Sequence, residues 1–199
     1  MVNYKKKYLK YKMKYLELKG GMNTTQLNSD IPKGECEELF ENFNYDDYIN
    51  QGMESQVYGH KTEPTRCFKR FILVQEKKLG MWGQKIKGGG ITETDFINNK
   101  LIPLNILSNV GLGTNIYKYY ICEDLELKKD CIYMEIDRIY GDTLETLDKS
   151  NKLNDTHIEE YKKIKSRLIE LGILSGSFLD DFHLDNIMYD GDRYYVIDW

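Results

Sequence analysis

The stretch Leu179–Asp198, LDDFHLDNIMYDGDRYYVID, carries the pattern that decides the fold of this 199-residue chain. Its centre predicts a β-hairpin, because an Asp-Gly turn at 190–191 separates two runs of alternating apolar residues. Asn186 directly precedes the first run, and Asp198 directly follows the second. Folding the chain back at the turn would therefore bring the Asn186 amide and the Asp198 carboxylate close together.

The residues around this hairpin have the chemistry of a metal-dependent site. An amide oxygen from Asn186 beside a carboxylate from Asp198 would supply the hard oxygen ligands that Mg²⁺ prefers. Asp181, on the loop that enters the hairpin, can face a substrate hydroxyl as a base or an orienting group. The alternative interpretation is that Asp185 and Asn186 only open a turn and that Asp198 is a surface charge. The joint spacing, with a helix predicted before it, favours a functional site.

This order of residues resembles the protein-kinase superfamily, in which D-x-x-x-x-N precedes a hairpin and a metal-binding aspartate. The version at 181–186, DFHLDN, is similar to the D-x-H-x-x-N of aminoglycoside phosphotransferases and choline kinases, as is the ending VIDW. The resemblance implies that Asp181 is catalytic, that Asn186 and Asp198 bind Mg²⁺, and that ATP is the nucleotide. It also implies an α+β, protein-kinase-like two-lobed fold, with an antiparallel N-lobe sheet and a truncated C-lobe.

An upstream segment, GMESQVY at 52–58, resembles a degenerate form of the loop that covers the ATP phosphates in this superfamily. Gly52 would let the backbone approach the phosphates, Ser55 belongs to the same loop, and Val57 would pack on the adenine. One glycine stands where protein kinases have three. An ordinary hairpin turn is therefore an equally good interpretation of this segment alone.

Lys69 is the candidate for binding the α- and β-phosphates. Strand alternation would place it on the same face as Cys67 and Phe71, where an ammonium group needs an anion such as phosphate. The alternatives are a lysine at the sheet edge that extends into water, or Arg70 in the same role. In protein kinases a glutamate on the next helix holds this lysine, and the resemblance points to Glu93.

The strand around Met134 resembles the hinge that joins the two lobes of a kinase. Met134 would stand at the back of the adenine pocket, and the backbone from Glu135 to Asp137 would hydrogen bond the adenine. The alternative is an ordinary apolar core strand. The turn VGLGTNIY at 110–117 resembles the G-x-G-P-x-(I/L)-Y turn of choline-kinase-like proteins, with Thr114 in place of proline.

The pattern divides the chain into four segments. Residues 1–21 predict a basic amphipathic helix rich in Tyr and Lys, and residues 22–44 predict a polar linker. Residues 45–137 would form the kinase-like N-lobe, with five antiparallel strands and one helix. Two strand pairs are expected there, 56–60 with 67–72 and 116–121 with 131–136, the second around a charged turn at 124–130. Residues 138–199 would form a partial C-lobe that carries the catalytic loop.

Two helices are predicted inside these lobes. The first has Thr92 or Thr94 as its N-cap and is expected to end before Pro103, because proline interrupts the hydrogen-bond ladder of a helix. The second has Asp155 or Thr156 as its N-cap. Its predicted buried stripe consists of Ile158, Tyr161, Ile164, Leu168 and Leu171.

Charge and composition exclude several other classes of protein. Residues 1–19 hold seven lysines and one glutamate, a net charge of +6, so the remainder of the chain carries −10. An acidic body argues against a general nucleic-acid binder. No apolar run is long enough for a membrane span, and none near the N-terminus resembles a secretory signal. Four cysteines without a CxxC pair or a secretory signal indicate a reducing compartment.

The Lys- and Tyr-rich leader is similar to leaders on proteins of giant DNA viruses, which implies an intracellular protein of the host cytoplasm or the virion. Docking of residues 3–19 on their own domain, or on a second copy, is the favoured interpretation of the leader. Contact with an anionic surface and a role as a targeting leader are the alternatives.

The expected activity is transfer of the γ-phosphate of ATP to a hydroxyl of a protein or a small molecule. The alternative is a weak or inactive nucleotide-binding pseudokinase, or scaffold, associated with virions. Leu179 supports this alternative, because it stands where most family members have a histidine that braces the catalytic loop. The end of the sequence at Trp199, before the usual activation segment, supports it as well.

Overall fold

A computed structural model of the protein describes residues 31–51, 55–74, 90–174 and 182–197. The described chain falls into two compact units, one of residues 31–140 and one that begins at Gly141. The first unit holds a five-stranded sheet and the second a three-stranded sheet, each with helices, and all the pairings within the two sheets are antiparallel. The α+β class with an antiparallel sheet is therefore confirmed.

The sheet of the first unit has the order β1-β2-β3-β5-β4. The predicted strand pairs are present within one or two residues of their expected bounds, because each pair combines alternating side chains with a polar turn. The strands are β1 (Phe43–Gln51), β2 (Ser55–His60), β3 (Arg66–Ile72), β4 (Ile116–Glu123) and β5 (Asp130–Asp137).

The register of β3 separates the two faces of this sheet. Phe68 lies opposite Tyr58 and Glu135, whereas Lys69 lies opposite Val57 and Met134. Residues directly opposite each other in antiparallel strands point to the same face. The sheet thus has a Phe68 face and a Lys69 face. The Phe68 face carries an aromatic core with Leu39, Phe43, Tyr58, Phe68, Tyr120, Cys122, Cys131 and Tyr133.

A short helix, α1 (Cys36–Asn42), covers the Phe68 face with Leu39 fully buried. The prediction of a linker over 22–44 is therefore wrong for residues 36–44, because β1 begins at Phe43 directly after this helix. Four glutamates in this region give it a polar composition, while the apolar positions that pack on the sheet recur at a spacing of three or four.

A disulfide joins Cys36 of α1 to Cys122 of β4, across 86 positions of sequence. Cys67 and Cys131 are buried thiols. Disulfides are rare in reducing compartments, so this pairing is at odds with the compartment that the sequence indicated. Spacing along the chain gave no sign that these two residues meet.

A longer helical segment packs on the Lys69 face, where the Phe96 ring lies 5.4 Å from that of Phe71. It consists of α2 (Glu93–Phe96), one π-helical turn (Ile97–Leu101) and α3 (Ile102–Asn109). Thr92 is its N-cap, as predicted, and accepts a hydrogen bond from the Asp95 N–H.

The prediction that this helix ends before Pro103 is wrong, because the helix continues to Asn109. The π-helical turn directly before Pro103 shifts the hydrogen-bond register by one residue, so that the Ile102 N–H bonds the Ile97 carbonyl. This shift accommodates a residue that lacks an N–H group.

In the second unit, the predicted hairpin is present as β7 (Ile187–Tyr189) and β8 (Tyr194–Val196), and the short strand β6 (Asp142–Thr143) pairs with β7. Gly191 in the turn has a φ of 104°, which a residue with a side chain rarely adopts. Before the hairpin come α4 (Leu144–Lys149) and α5 (Asp155–Glu170).

The N-cap of α5 differs from the prediction. Asn154 Oδ1 accepts a hydrogen bond from the His157 N–H at 3.1 Å, so neither Asp155 nor Thr156 is the cap. All three residues are good caps, and the choice depends on where the backbone leaves the extended conformation. None of the described helices is long and apolar enough to cross a membrane.

Candidate functional site

Four predicted nucleotide-binding residues lie on the Lys69 face of the first unit. Val57, Lys69 and Met134 form a row across β2, β3 and β5, each directly opposite the next. Ser55 lies opposite Phe71, two residues along the same face. Met134 is fully buried, and the Lys69 residue is only 8% exposed. The strand register alone therefore assembles this group.

The predicted alternation of β3 is confirmed by the partners of its charged residues. Arg70 points to the Phe68 face, where its guanidinium donates to Asp124, Gln56 and Tyr58. Arg70 therefore does not share a face with Met134, and Lys69 does. Arg70 is thus already engaged by Asp124, and which of the two residues would bind phosphate stays a prediction.

Glu93, the predicted partner of Lys69, occupies the first turn of α2 and is exposed. Among the described residues no ion pair joins Glu93 to Lys69. The kinase-type lysine–glutamate pair therefore stays a prediction for this chain.

The predicted hinge residues make contacts within the first unit. Glu135 is on the Phe68 face, where its carboxylate accepts from Arg66 at 2.9 Å and from the Tyr120 hydroxyl at 3.0 Å. Asp137 accepts from the Tyr117 hydroxyl at 2.6 Å, and its backbone N–H donates to the Asn115 carbonyl. The Asp137 N–H is thus already engaged, and the adenine contact predicted for residues 135–137 stays a prediction.

In the second unit, the loop before the hairpin is held by hydrogen bonds to its own backbone. Asn186 is 7% exposed, and its Oδ1 accepts from the His183 N–H at 2.8 Å. Its backbone carbonyl accepts from the Ile197 N–H at 2.9 Å. This last bond places Asn186 beside Ile197, which follows the end of β8 and directly precedes Asp198 in the sequence.

The amide oxygen of Asn186 is chemically suitable as a ligand of magnesium. A carbonyl-type oxygen has two lone pairs, and the bond from the His183 N–H uses one of them. The described residues contain no group of three His, Cys, Asp or Glu side chains that could hold a metal ion.

Several predicted positions lie outside the described residues: Gly52, Leu179, Asp181, Asp198, Trp199 and the helix predicted within residues 1–21.

Two aromatic contacts position this loop and hairpin, and the sequence interpretation did not assign them. The Tyr161 hydroxyl on α5 donates to the Phe182 carbonyl at 2.8 Å, and the two rings stack. His157 on the same helix is buried, and its Nδ1 lies 2.7 Å from the Tyr194 hydroxyl on β8. Tyr161 belongs to the predicted apolar stripe of α5, which was the available signal for it, whereas His157 precedes that stripe and was not assigned.

Comparisons with known proteins add no relative to these observations: no protein-family model and no curated protein matches the chain.

Proposed function

We propose that this chain is a kinase-like phosphotransferase that binds ATP and Mg²⁺ and transfers the γ-phosphate to a hydroxyl group of a protein or a small molecule. The observation that carries the proposal is the held loop of the second unit. There the Asn186 side chain accepts from the His183 N–H, and the Asn186 backbone carbonyl accepts from the Ile197 N–H. Ile197 directly precedes Asp198 in the sequence. Two oxygen-bearing side chains at a strand end suit a divalent cation.

The first unit supports the nucleotide part of the proposal. A lysine is costly to bury, and burial on a face with Val57 and Met134 is what a phosphate-binding lysine beside an adenine pocket needs. The order of Val57, Lys69 and Met134 over three adjacent strands is also the order that the resemblance to the kinase N-lobe sheet implies.

The proposal gives each residue a separate task. Lys69 would orient the α- and β-phosphates, and Asn186 and Asp198 would offer oxygen ligands to the metal. Asp181 would position the acceptor hydroxyl and take up its proton. A bound Mg²⁺ would neutralise charge on the phosphates. Catalysis would thus come mainly from positioning and electrostatics.

A thermal-shift titration tests binding of the nucleotide. The melting temperature of the chain should rise with ATP concentration in the presence of Mg²⁺, because a ligand that binds only the folded state stabilises it. Asp198→Asn should remove most of this rise. Asp192→Asn, an exposed carboxylate in the hairpin turn, is the matched control and should keep it. No shift of the wild type at millimolar Mg-ATP would overturn the proposal.

The second candidate is a nucleotide-binding protein without turnover. The exposed position of Glu93, with no ion pair to Lys69 among the described residues, favours it. Release or transfer of ³²P from labelled ATP decides between the two. Turnover that is lost in Asp181→Asn supports the enzyme, whereas a wild type that binds Mg-ATP without turnover supports the binding protein.

A further inference from the structure

Three of the four cysteines meet in the core beneath α1. Cys36 on α1 is bonded to Cys122 on β4, with their Cα atoms 5.7 Å apart. Cys131 on β5 is a thiol with no exposed surface, and it lies directly opposite Cys122 in the strand register. The disulfide therefore has a free thiol as its immediate neighbour on the same face of the sheet.

The spacing of the strands suits an alternative crosslink. Residues directly opposite each other in antiparallel strands have Cα atoms about 4.5 to 5.5 Å apart. Disulfides join Cα atoms roughly 4.4 to 6.8 Å apart. Cys122 can thus bond to Cys36 or to Cys131 with little movement of β4 and β5.

We propose that Cys36, Cys122 and Cys131 form a thiol–disulfide relay that moves the crosslink from α1–β4 to β4–β5 and so releases α1 from the sheet. The Cys131 thiol first loses its proton to solvent. Its sulfur then attacks Cys122 Sγ, forming the Cys122–Cys131 bond as the Cys36–Cys122 bond breaks. Cys36 leaves as a thiolate and takes up a proton. No external oxidant or reductant is consumed.

The relay is held at rest by burial. Burial above all, together with Asp124 and Asp130, raises the pKa of the Cys131 thiol to about 11, against the lowering effect of Arg70. The reactive thiolate is therefore scarce near neutral pH. Local opening of α1, or alkaline solution, would increase it, because the thiolate is the attacking form.

Release would have a structural consequence because α1 depends on its contacts. It has seven residues, too few for a helix that is stable alone, and it has no side-chain N-cap. Besides the disulfide, α1 is held by the buried Leu39, by the Phe40 ring against Tyr133 and by an ion pair from Glu38 to Lys118. Lys61 also donates to the carbonyls of Phe40 and Asn42. Once the crosslink has moved, α1 can leave the aromatic core that it covers. The relay is independent of the proposed phosphotransfer.

Disulfide mapping of the intact chain tests the relay. The protein is incubated without reductant at pH 7 and at pH 9, quenched with acid, alkylated, and digested without reduction for mass spectrometry. We expect peptides linked through Cys122–Cys131, with alkylated Cys36, to accumulate faster at pH 9. Hydrogen exchange of the amides in residues 36–42 should increase in the same samples.

Two variants and two outcomes complete the test. Cys131→Ala should keep only the Cys36–Cys122 link and slow amide exchange in α1, whereas Cys67→Ala, a buried thiol on the Lys69 face, should behave as the wild type. A wild-type map that retains only Cys36–Cys122 at pH 9, or that gains Cys36–Cys131, would overturn the relay. The wild-type map decides alone, so the result does not depend on whether either variant folds.

Discussion

At the scale of single residues, Asp124 and Arg70 form a nearly fully buried ion pair on the Phe68 face. Arg70 donates to Asp124 Oδ2 at 2.5 Å, and the Tyr133 hydroxyl donates to the same oxygen at 2.5 Å. The Leu127 N–H donates to Oδ1 at 2.7 Å. Asp124 thus ties the turn between β4 and β5 to the core, which is a structural role.

Asp124→Ala should lower the free energy of unfolding by about 3 to 5 kcal/mol, because it leaves the buried Arg70 charge without its partner. Urea denaturation measures this change. Asp130→Ala, an exposed carboxylate at the start of β5, is the control and should change stability by less than about 0.5 kcal/mol. A loss for Asp124→Ala as small as the control's would mean that solvent reaches the pair.

His60 is a second buried polar residue, and its ring is held in the neutral state. Its Nδ1 accepts hydrogen bonds from the N–H groups of Thr62 and Glu63, so that nitrogen is unprotonated. Burial lowers the pKa of His60; Glu135 raises it in part, and Arg66 lowers it further. Protonation would break both bonds to the turn.

The stability of the protein should therefore fall as the pH drops. A histidine whose pKa is lowered by folding contributes fully above the unfolded value of about 6.5, and its contribution is lost as the pH falls through the folded value. Each pH unit by which folding lowers the pKa of His60 adds about 1.4 kcal/mol to the free energy of unfolding above pH 6.5. Urea denaturation between pH 7.5 and 5 measures the slope. His60→Asn, whose amide oxygen can replace Nδ1, should flatten it, and an unchanged slope would contradict this assignment.

The sequence predicted the side of the sheet for each residue of β3 but not the partner that each would meet. Strand alternation is local, so it separated Lys69 from Arg70 correctly. Asp124 was part of a charged turn between predicted strands, and nothing in the spacing indicated that it folds back onto Arg70. Partners distant in sequence depend on strand order, which alternation does not determine.

At the scale of elements, strands and hairpins were predictable because turn chemistry and alternation coincide. The two helical segments that pack on the sheet were less predictable from the sequence. The glutamates around Leu39 gave the α1 region the composition of a linker, and Pro103 indicated a helix end where a π-helical turn preserves the helix. In both places tertiary packing outweighed the local signal.

The cap of α5 gives a test at this scale. Asn154→Ala should lower the free energy of unfolding of the second unit by about 1 kcal/mol, because the His157 N–H loses its acceptor. Thr156→Ala, at one of the two caps that the sequence predicted, is the control and should have little effect. Far-UV circular dichroism during urea denaturation measures both. The opposite ranking would return the cap to Thr156.

At the scale of the whole molecule, the sequence supplied the chemistry of the candidate site but not the supports that hold it. The D-x-H-x-x-N pattern and the hairpin identified Asn186 from local spacing alone. The hydroxyl of Tyr161 that fixes the Phe182 carbonyl comes from a different helix, where it was interpreted only as part of a buried stripe. Such supports become visible when the elements are packed together.

The disulfide is the one covalent crosslink among the described residues of the first unit, and its removal gives the last prediction. Cys36 and Cys122 are 86 positions apart. In the chain-entropy model, closing a loop of that length raises the free energy of the unfolded chain by about 4.6 kcal/mol. Reduction should therefore lower the free energy of unfolding of this unit by up to that amount, as measured by urea denaturation with and without a phosphine reductant. The double variant Cys36→Ser/Cys122→Ser should start at the lower stability and show no response to reductant. If wild type and double variant unfolded at the same urea concentration under oxidising conditions, α1 would be held by its packing alone and the crosslink would be dispensable.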